Sequence, residues 1–248
     1  MAERITGRVR GGQNLYGFTV GILMLDTQFP RIPGEMGNAT TFPFPVRYHR
    51  VSGAAPDLVV RRGAEGLLDN FIEGARFLDR EGVGAITTNC GFLVKFQRQM
   101  AAAVRVPVFT SSLLLVPLVH RMIGPGRRVG VMTVNKPSLT PEHLAGAGIG
   151  PEIPLAVVGM ETEKEFTRVM LDNELELDVD AAREEHVRVA RRFVAEYPDL
   201  GAIVLECTNM PPYADDIRRE TGLAVFDILS LVRMAHDALA AGIAPRPV

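Results

Sequence analysis

Two matching segments constrain the fold of this chain more than anything else in it. Gly84-Ala85-Ile86 leads to Cys90 and Gly201-Ala202-Ile203 leads to Cys207, and each residue of the first segment lies 117 positions before its counterpart. The same spacing joins Val108-Phe109 to Val225-Phe226. An earlier pair, Val20-Gly21-Ile22 and Val129-Gly130-Val131, is spaced by 109, so the connection after it differs slightly in length. A register kept across two apolar runs and the chain between them points to a duplicated unit. Around these anchors, short β-branched runs alternate with longer stretches of helical period, which is the pattern of a parallel sheet wrapped by helices.

The expected fold class is α/β, with two pseudo-symmetric lobes, each a roughly four-stranded parallel sheet flanked by helices, and an active site in the cleft between them. The strands of the first lobe are expected at Phe18–Leu25, weakly near Leu58–Val60, at Val83–Thr88 and at Val106–Thr110. Those of the second are expected at Arg128–Val134, Leu155–Met160, Gly201–Leu205 and Leu223–Asp227. Helices are expected near 61–80, 91–104, 112–123, 161–172, 179–196, 211–221 and 229–241, with Gly82 and Gly201 as C-cap glycines. Residues 1–117 then form an N-terminal lobe and 118–227 a C-terminal lobe, with a last helix within 228–248 rejoining the first. At 248 residues and 47% hydrophobic content, the chain can bury a sizeable core.

Charge and composition narrow the function. A formal net charge of −2 provides no basic field to draw nucleic acid or an anionic membrane. No apolar run approaches the roughly 20 residues of a membrane helix, and Met1-Ala2-Glu3-Arg4 does not begin a secretory signal. The expectation is a cytoplasmic protein whose partners are a small molecule and further copies of itself, a dimer or higher homo-oligomer. In that compartment two cysteines read as reactive or buried thiols before they read as a disulfide. Two sulfurs alone do not make a structural zinc site, and His49, His120, His143, His186 and His236 form no ligand-spaced cluster with them, so no metal is expected.

Because ligands of parallel α/β sheets bind beyond the carboxyl ends of the strands, Cys90 and Cys207 are expected to face one shared cleft. The strand ends read Thr87-Thr88-Asn89-Cys90-Gly91-Phe92 and Leu205-Glu206-Cys207-Thr208-Asn209-Met210. Each cysteine precedes an expected helix, whose positive end and free N–H groups would lower the thiol pKa. Thr88, Asn89, Thr208 and Asn209 add uncharged groups suited to a carboxylate or enolate oxygen, although Asn and Thr at such positions also cap helices. Glu206 would oppose thiolate formation if it faced Cys207, and would pair with a cation if it pointed to the other side of the strand. The Gly- and Pro-rich loop Asp26–Asn38 leaves the end of the first strand and could cap the cleft, with Asp26 in the pocket and Arg31 or Arg47 reading a carboxylate.

These strand ends, together with the repeated lobes, resemble the aspartate/glutamate/hydantoin racemase superfamily of cofactor-independent racemases, which includes arylmalonate decarboxylase and maleate isomerase. The resemblance covers nearly the whole chain. It implies that Cys90 and Cys207 lie on opposite faces of a small carboxylate substrate. One would remove the α-proton as thiolate and the other would return a proton from its thiol, with no cofactor. Inversion of a planar carbanion requires one proton-transfer group per face. The resemblance therefore implies a cofactor-independent racemase or epimerase, an isomerase, acting on an amino acid or a hydantoin-like compound.

The chain departs from the family pattern at both sites. Gly91-Phe92 stands where amino-acid racemases commonly carry Asn-Thr, and Cys207-Thr208-Asn209 stands where glutamate racemases carry Cys-Thr-His. Gly91 and Phe92 line the expected pocket, and Phe92 makes it less polar, which disfavours glutamate. A maleate isomerase-like or arylmalonate decarboxylase-like enzyme, or a two-lobed protein that binds a small ligand without converting it, stays open on the sequence.

Overall fold

The computed structural model describes residues 7, 8 and 11–240. Two four-stranded sheets organise it. In the first, β1 (Val20–Met24), β2 (Val46–Arg50), β3 (Ala85–Thr88) and β4 (Val108–Phe109) run parallel in the order β2-β1-β3-β4. In the second, β5 (Arg128–Thr133), β6 (Leu155–Gly159), β7 (Leu200–Leu205) and β8 (Ala224–Phe226) repeat that order as β6-β5-β7-β8, again parallel. The duplication extends to pairing register. Val20 sits opposite Ala85 and Val129 opposite Ala202, while Ile86 faces Val108 and Ile203 faces Val225. Each pairing maps onto the other through the 109- and 117-residue spacings of the sequence.

The weak strand expected near Leu58–Val60 is instead the helix α1 (Pro56–Val60). Pro56 occupies its first turn, where the missing N–H costs nothing, and Val59 and Val60 are buried. The second strand of the lobe is β2, an edge strand of sequence VRYHR that is only half-buried and carries no apolar run. With a single strand neighbour and one open flank, it needs little hydrophobic signal. The helix expected from residue 61 begins at α2 (Leu68–Arg80), because Gly63, Ala64 and Gly66 take positive φ and break helical geometry before it. Gly82 does adopt positive φ just past α2, as a C-terminal glycine should. Gly201 is not a cap. It lies inside β7, where a Cβ would press on Ile123 and Arg127.

The remaining helices are α3 (Gln97–Ala103), α4 (Val116–Met122), α5 (Pro141–Gly146), α6 (Glu165–Asp172), α7 (Val179–Glu196), α8 (Ala214–Thr221) and α9 (Ile228–Ala240). Segments expected to be continuous helices from 91, 112 and 211 begin as 3-10 turns at Gly91–Phe96, Ser112–Leu115 and Pro211–Tyr213. The short α5 is one the periodicity did not reveal.

Each lobe sends its last helix to the other. Val116 and Val119 of α4 join Val129 and Val131 of β5 in one buried cluster, and Ser112 Oγ donates to the Leu205 carbonyl at 2.6 Å. In return, Ile228 and Val232 of α9 pack with Val20 and Ile22 of β1, His236 Nδ1 lies 2.7 Å from Thr19 Oγ1, and Phe44 stacks on the His236 ring. This exchange fixes the two sheets with their carboxyl ends facing.

Candidate active site

Cys90 and Cys207 stand two residues beyond the ends of β3 and β7, both as free thiols and both 8% exposed. They line one cavity at the lobe boundary. The backbone N–H of Phe92 faces the Cys90 sulfur and that of Asn209 faces the Cys207 sulfur, the same i to i+2 relation in each lobe. The strand ends are tied across the boundary, since Thr208 Oγ1 donates to the Asn89 carbonyl. Within the first lobe, Asn89 Oδ1 accepts from the Leu25 N–H at 2.7 Å, which turns its amide toward β1.

Of the expected residues, Asn89, Cys90, Gly91, Phe92, Cys207, Thr208 and Asn209 all line the cavity. Thr88 and Asp26 do not. Thr88 Oγ1 donates within the lobe, to the Thr110 carbonyl at 2.7 Å, and so holds the end of β3. Asp26 turns outward to Arg50 Nη1 at 3.4 Å and the Gly53 N–H at 3.2 Å. Arg47 pairs with Glu81 at 2.9 Å, whereas Arg31 reaches the site margin, donating to Asn209 Oδ1 at 3.1 Å while ion-paired to the buried Glu35.

Of the opposite wall, sequence reasoning anticipated only the loop after β1, which supplies Phe29. Leu25, Phe29, Pro56 and Val60 close the cavity from the first lobe, and Val134, Met170 and Leu171 from the second. Each comes from an element remote in sequence, and only the i, i+3, i+4 stripe of α6 hinted that Met170 and Leu171 are buried. About 30 Å³ of space is left between these walls, room for a water or two.

Glu206 also lines the cavity and is fully buried. Its Oε2 accepts from Thr133 Oγ1 at 2.7 Å, and its Oε1 has no partner. No cation is paired with it among the described residues, so the cation partner that the sequence left open is not there. Burial pushes its pKa up to about 8.

The thiols depart from the expectation of lowered pKa. Burial, with the Glu206 carboxylate as the second cause, pushes Cys90 up to about 12 and Cys207 well above its ordinary value. The reason is structural: each cysteine leads into a short turn rather than a long helix, so no helix dipole offsets desolvation. The two sulfurs are unequal. Arg31 favours the thiolate at Cys90, while Cys90 and Glu35 disfavour it at Cys207. No group of three or more His, Cys, Asp or Glu side chains able to hold a metal ion occurs among the described residues.

No protein-family model matches the chain. By sequence, 222 residues are 33% identical to a dimethylsulfoniopropionate lyase of Durusdinium sp. clade D, covering 87% of this chain and 73% of that one. A further 31% identity over 221 residues relates it to dimethylsulfoniopropionate lyase 7 of Emiliania huxleyi (strain CCMP1516), covering 86% of this chain but 64% of the relative, so it spans less than two thirds of that protein. Many solved structures share the fold, three of which show its range. A putative Asp/Glu racemase from Yersinia pestis matches with a TM-score of 0.60 and 12% identity over 90% of this chain and 100% of its own. Unliganded arylmalonate decarboxylase matches at 0.56 and 17%, over 93% and 97%. Allantoin racemase from Klebsiella pneumoniae matches at 0.55 and 17%, over 92% and 90%.

Proposed function

Because the chain belongs to the dimethylsulfoniopropionate lyase family, on the two-lobed fold of the aspartate/glutamate/hydantoin racemase superfamily, we propose that it is a carbon–sulfur lyase acting on a small β-sulfonio carboxylate such as dimethylsulfoniopropionate. The racemase expected from the sequence and this lyase share a first step, removal of a proton α to a carboxylate. They part afterwards. In the lyase, a cysteine thiolate takes the Cα proton, that electron pair forms the Cα–Cβ double bond, and the Cβ–S bond breaks with its pair on sulfur. Acrylate and neutral dimethyl sulfide leave, and the proton stays on the thiol.

The observation that carries this reading is the composition of the walls. Opposite the two thiols stand Phe29, Val60, Met170 and Leu171, and the one carboxyl on the walls, Glu206, is pushed by burial toward its neutral form, which is a poor holder of the α-ammonium of an amino acid. A dimethylsulfonium group is a diffuse, weakly hydrated cation that suits aromatic and thioether surroundings. The same cation supplies what the thiols lack. A positive charge bound beside a sulfur whose pKa is raised by burial favours the thiolate, so the substrate itself promotes formation of the base. The side-chain amides of Asn89 and Asn209 line the same walls and would hold the carboxylate as it gains enolate character, while the Thr208 hydroxyl is engaged with the Asn89 carbonyl.

The matched thiols, one per lobe, favour a second reading, two-base racemisation of a carboxylate with an acidic α-hydrogen. Product analysis separates the two. Incubated with dimethylsulfoniopropionate, the protein is expected to release dimethyl sulfide and acrylate in equal amounts, and to leave aspartate, glutamate and hydantoins unexchanged in D2O. Inversion or α-deuteration of one of those compounds, with no sulfide from the sulfonium compound, would establish the racemase instead.

A further inference from the structure

Glu206 is the residue that breaks the duplication of the site. By the 117-residue spacing it occupies the position of Asn89, so where one lobe carries a neutral amide beside its cysteine the other carries a carboxyl. The carboxyl is built in with care for its surroundings. Its Oε2 receives the Thr133 hydroxyl at 2.7 Å, which leaves Oε1 as the oxygen that can carry a proton. Oε1 is buried and unpartnered, it belongs to a residue that lines the cavity, and it stands where a side chain on Gly91, another lining residue, would be: a Cβ there would collide with the carboxyl and carbonyl oxygens of Glu206. The absence of a side chain at Gly91, itself a cavity-lining residue, is what gives the Glu206 carboxyl its place.

A buried carboxylate with one hydrogen bond and no cation is costly, and the group answers by keeping its proton. The titratable and charged groups around it do not reverse this. Cys90 and Cys207 carry no positive charge, Arg31 on the loop after β1 is committed to Glu35, and His143 of α5 lies behind Phe92, its ring held neutral by burial. Thr133 of β5 and Asn89 are uncharged.

We propose that Glu206 is a substrate-contacting residue that works as a neutral carboxylic acid, its Oε1–H donating to an oxygen of the bound carboxylate and, more strongly, to the enolate oxygen formed when the α-proton leaves. This rests on the reading of the cleft as a carboxylate site, and it adds a donor that strengthens as charge develops in the transition state. No bond to carbon is made or broken at Glu206, and its proton is shared rather than given up. Ionised, the same group would repel the substrate carboxylate and hold both thiols protonated. Activity and carboxylate binding should therefore both fail on the alkaline side as Glu206 titrates.

The test uses the whole protein, with propionate as the probe so that lyase turnover is not required. Calorimetric affinity of the wild type for propionate is expected to be flat through neutral pH and then to fall about tenfold per pH unit above the titration of Glu206. Glu206→Gln keeps a donor of the same shape without a titration, so its affinity should stay within about fivefold of wild type at neutral pH and remain flat above it. Glu206→Ala should lose at least about tenfold throughout. An infrared carboxylic C=O band present in the wild type at neutral pH should vanish in Glu206→Gln, whichever reaction the protein catalyses. Alkaline loss of propionate that persists unchanged in Glu206→Gln, or absence of that infrared band, overturns the role of Glu206. Failure of the wild type to bind propionate at any pH overturns the carboxylate site itself and this proposal with it.

Discussion

Cys90, Cys207 and Glu206 share one buried pocket, where the Glu206 carboxylate opposes ionisation of both thiols and Cys90 that of Cys207. The cysteines were legible because a repeat places them at equal offsets and parallel sheets put strand ends at ligands. Their protonation was not legible, because it depends on desolvation by walls remote in sequence. Of Cys90→Ala and Cys207→Ala, the one that removes the base should lower kcat by at least about a hundredfold, the usual worth of a positioned proton-transfer group. A stability measurement tests Glu206 separately. Its folded pKa of about 8 lies above the ordinary 4.5, so the native state holds a proton that the unfolded chain releases. The resulting stabilisation is complete below about 4.5 and is lost as pH rises through about 8, at up to ~1.4 kcal/mol per pH unit. Urea unfolding of Glu206→Gln should show a shallower decline over that window than wild type, and identical slopes would contradict a buried neutral acid.

Among elements, α6 contributes most that the sequence hid. Its amphipathic stripe predicts a helix, but nothing local says that Met170 and Leu171 reach the cysteines. The helix is held at its start by Glu185 of α7, whose carboxylate accepts from the N–H groups of Lys164, Glu165 and Phe166 at 3.0, 2.8 and 2.9 Å. Glu185→Ala strands these donors and should cost about 1–3 kcal/mol in unfolding free energy. Helix α7 also carries the buried His186, whose Nδ1 donates to the Ala182 carbonyl at 2.7 Å while its ring stacks on Tyr213. Burial holds its pKa near 4, below the ordinary 6.5, so the unfolded chain takes up a proton that the native state refuses. The stability it provides is present above about 6.5 and declines as pH falls toward about 4. His186→Gln should flatten that acid limb in a pH series of melting temperatures. Strands with apolar runs were readable throughout. The polar edge strand β2 was missed and the Pro-led α1 was read as the lobe's weak strand, since an edge needs no apolar signal and a buried helical turn can imitate a strand.

Across the whole molecule, the duplicated topology and the lobe-to-lobe exchange of α4 and α9 arise from the repeat. What the repeat does not convey is how tightly the lobes meet. With room for only a water or two between its walls, the cleft is expected to widen when a substrate enters. Two clasps close it at the end of α6: Arg61 to Asp172 at 2.8 Å, and Gln28 to Asn173 through bonds of 2.8 and 3.0 Å. Asp172→Asn loosens the first, so alkylation of the free enzyme's thiols by iodoacetamide should accelerate several-fold with little change in melting temperature, because an exposed ion pair contributes only about 0–1 kcal/mol.

In the proposed reaction a cysteine thiolate between the two lobes removes an α-proton and the sulfonium group leaves as neutral sulfide. This reaction is tested most directly by following dimethylsulfoniopropionate in D2O by proton NMR with the wild type, Cys90→Ala and Cys207→Ala. Acrylate and dimethyl sulfide are expected in equal amounts from the wild type, and neither product above background from at least one of the two variants. Undiminished elimination by both variants, or a wild type that exchanges the α-hydrogens without ever releasing sulfide, would contradict it.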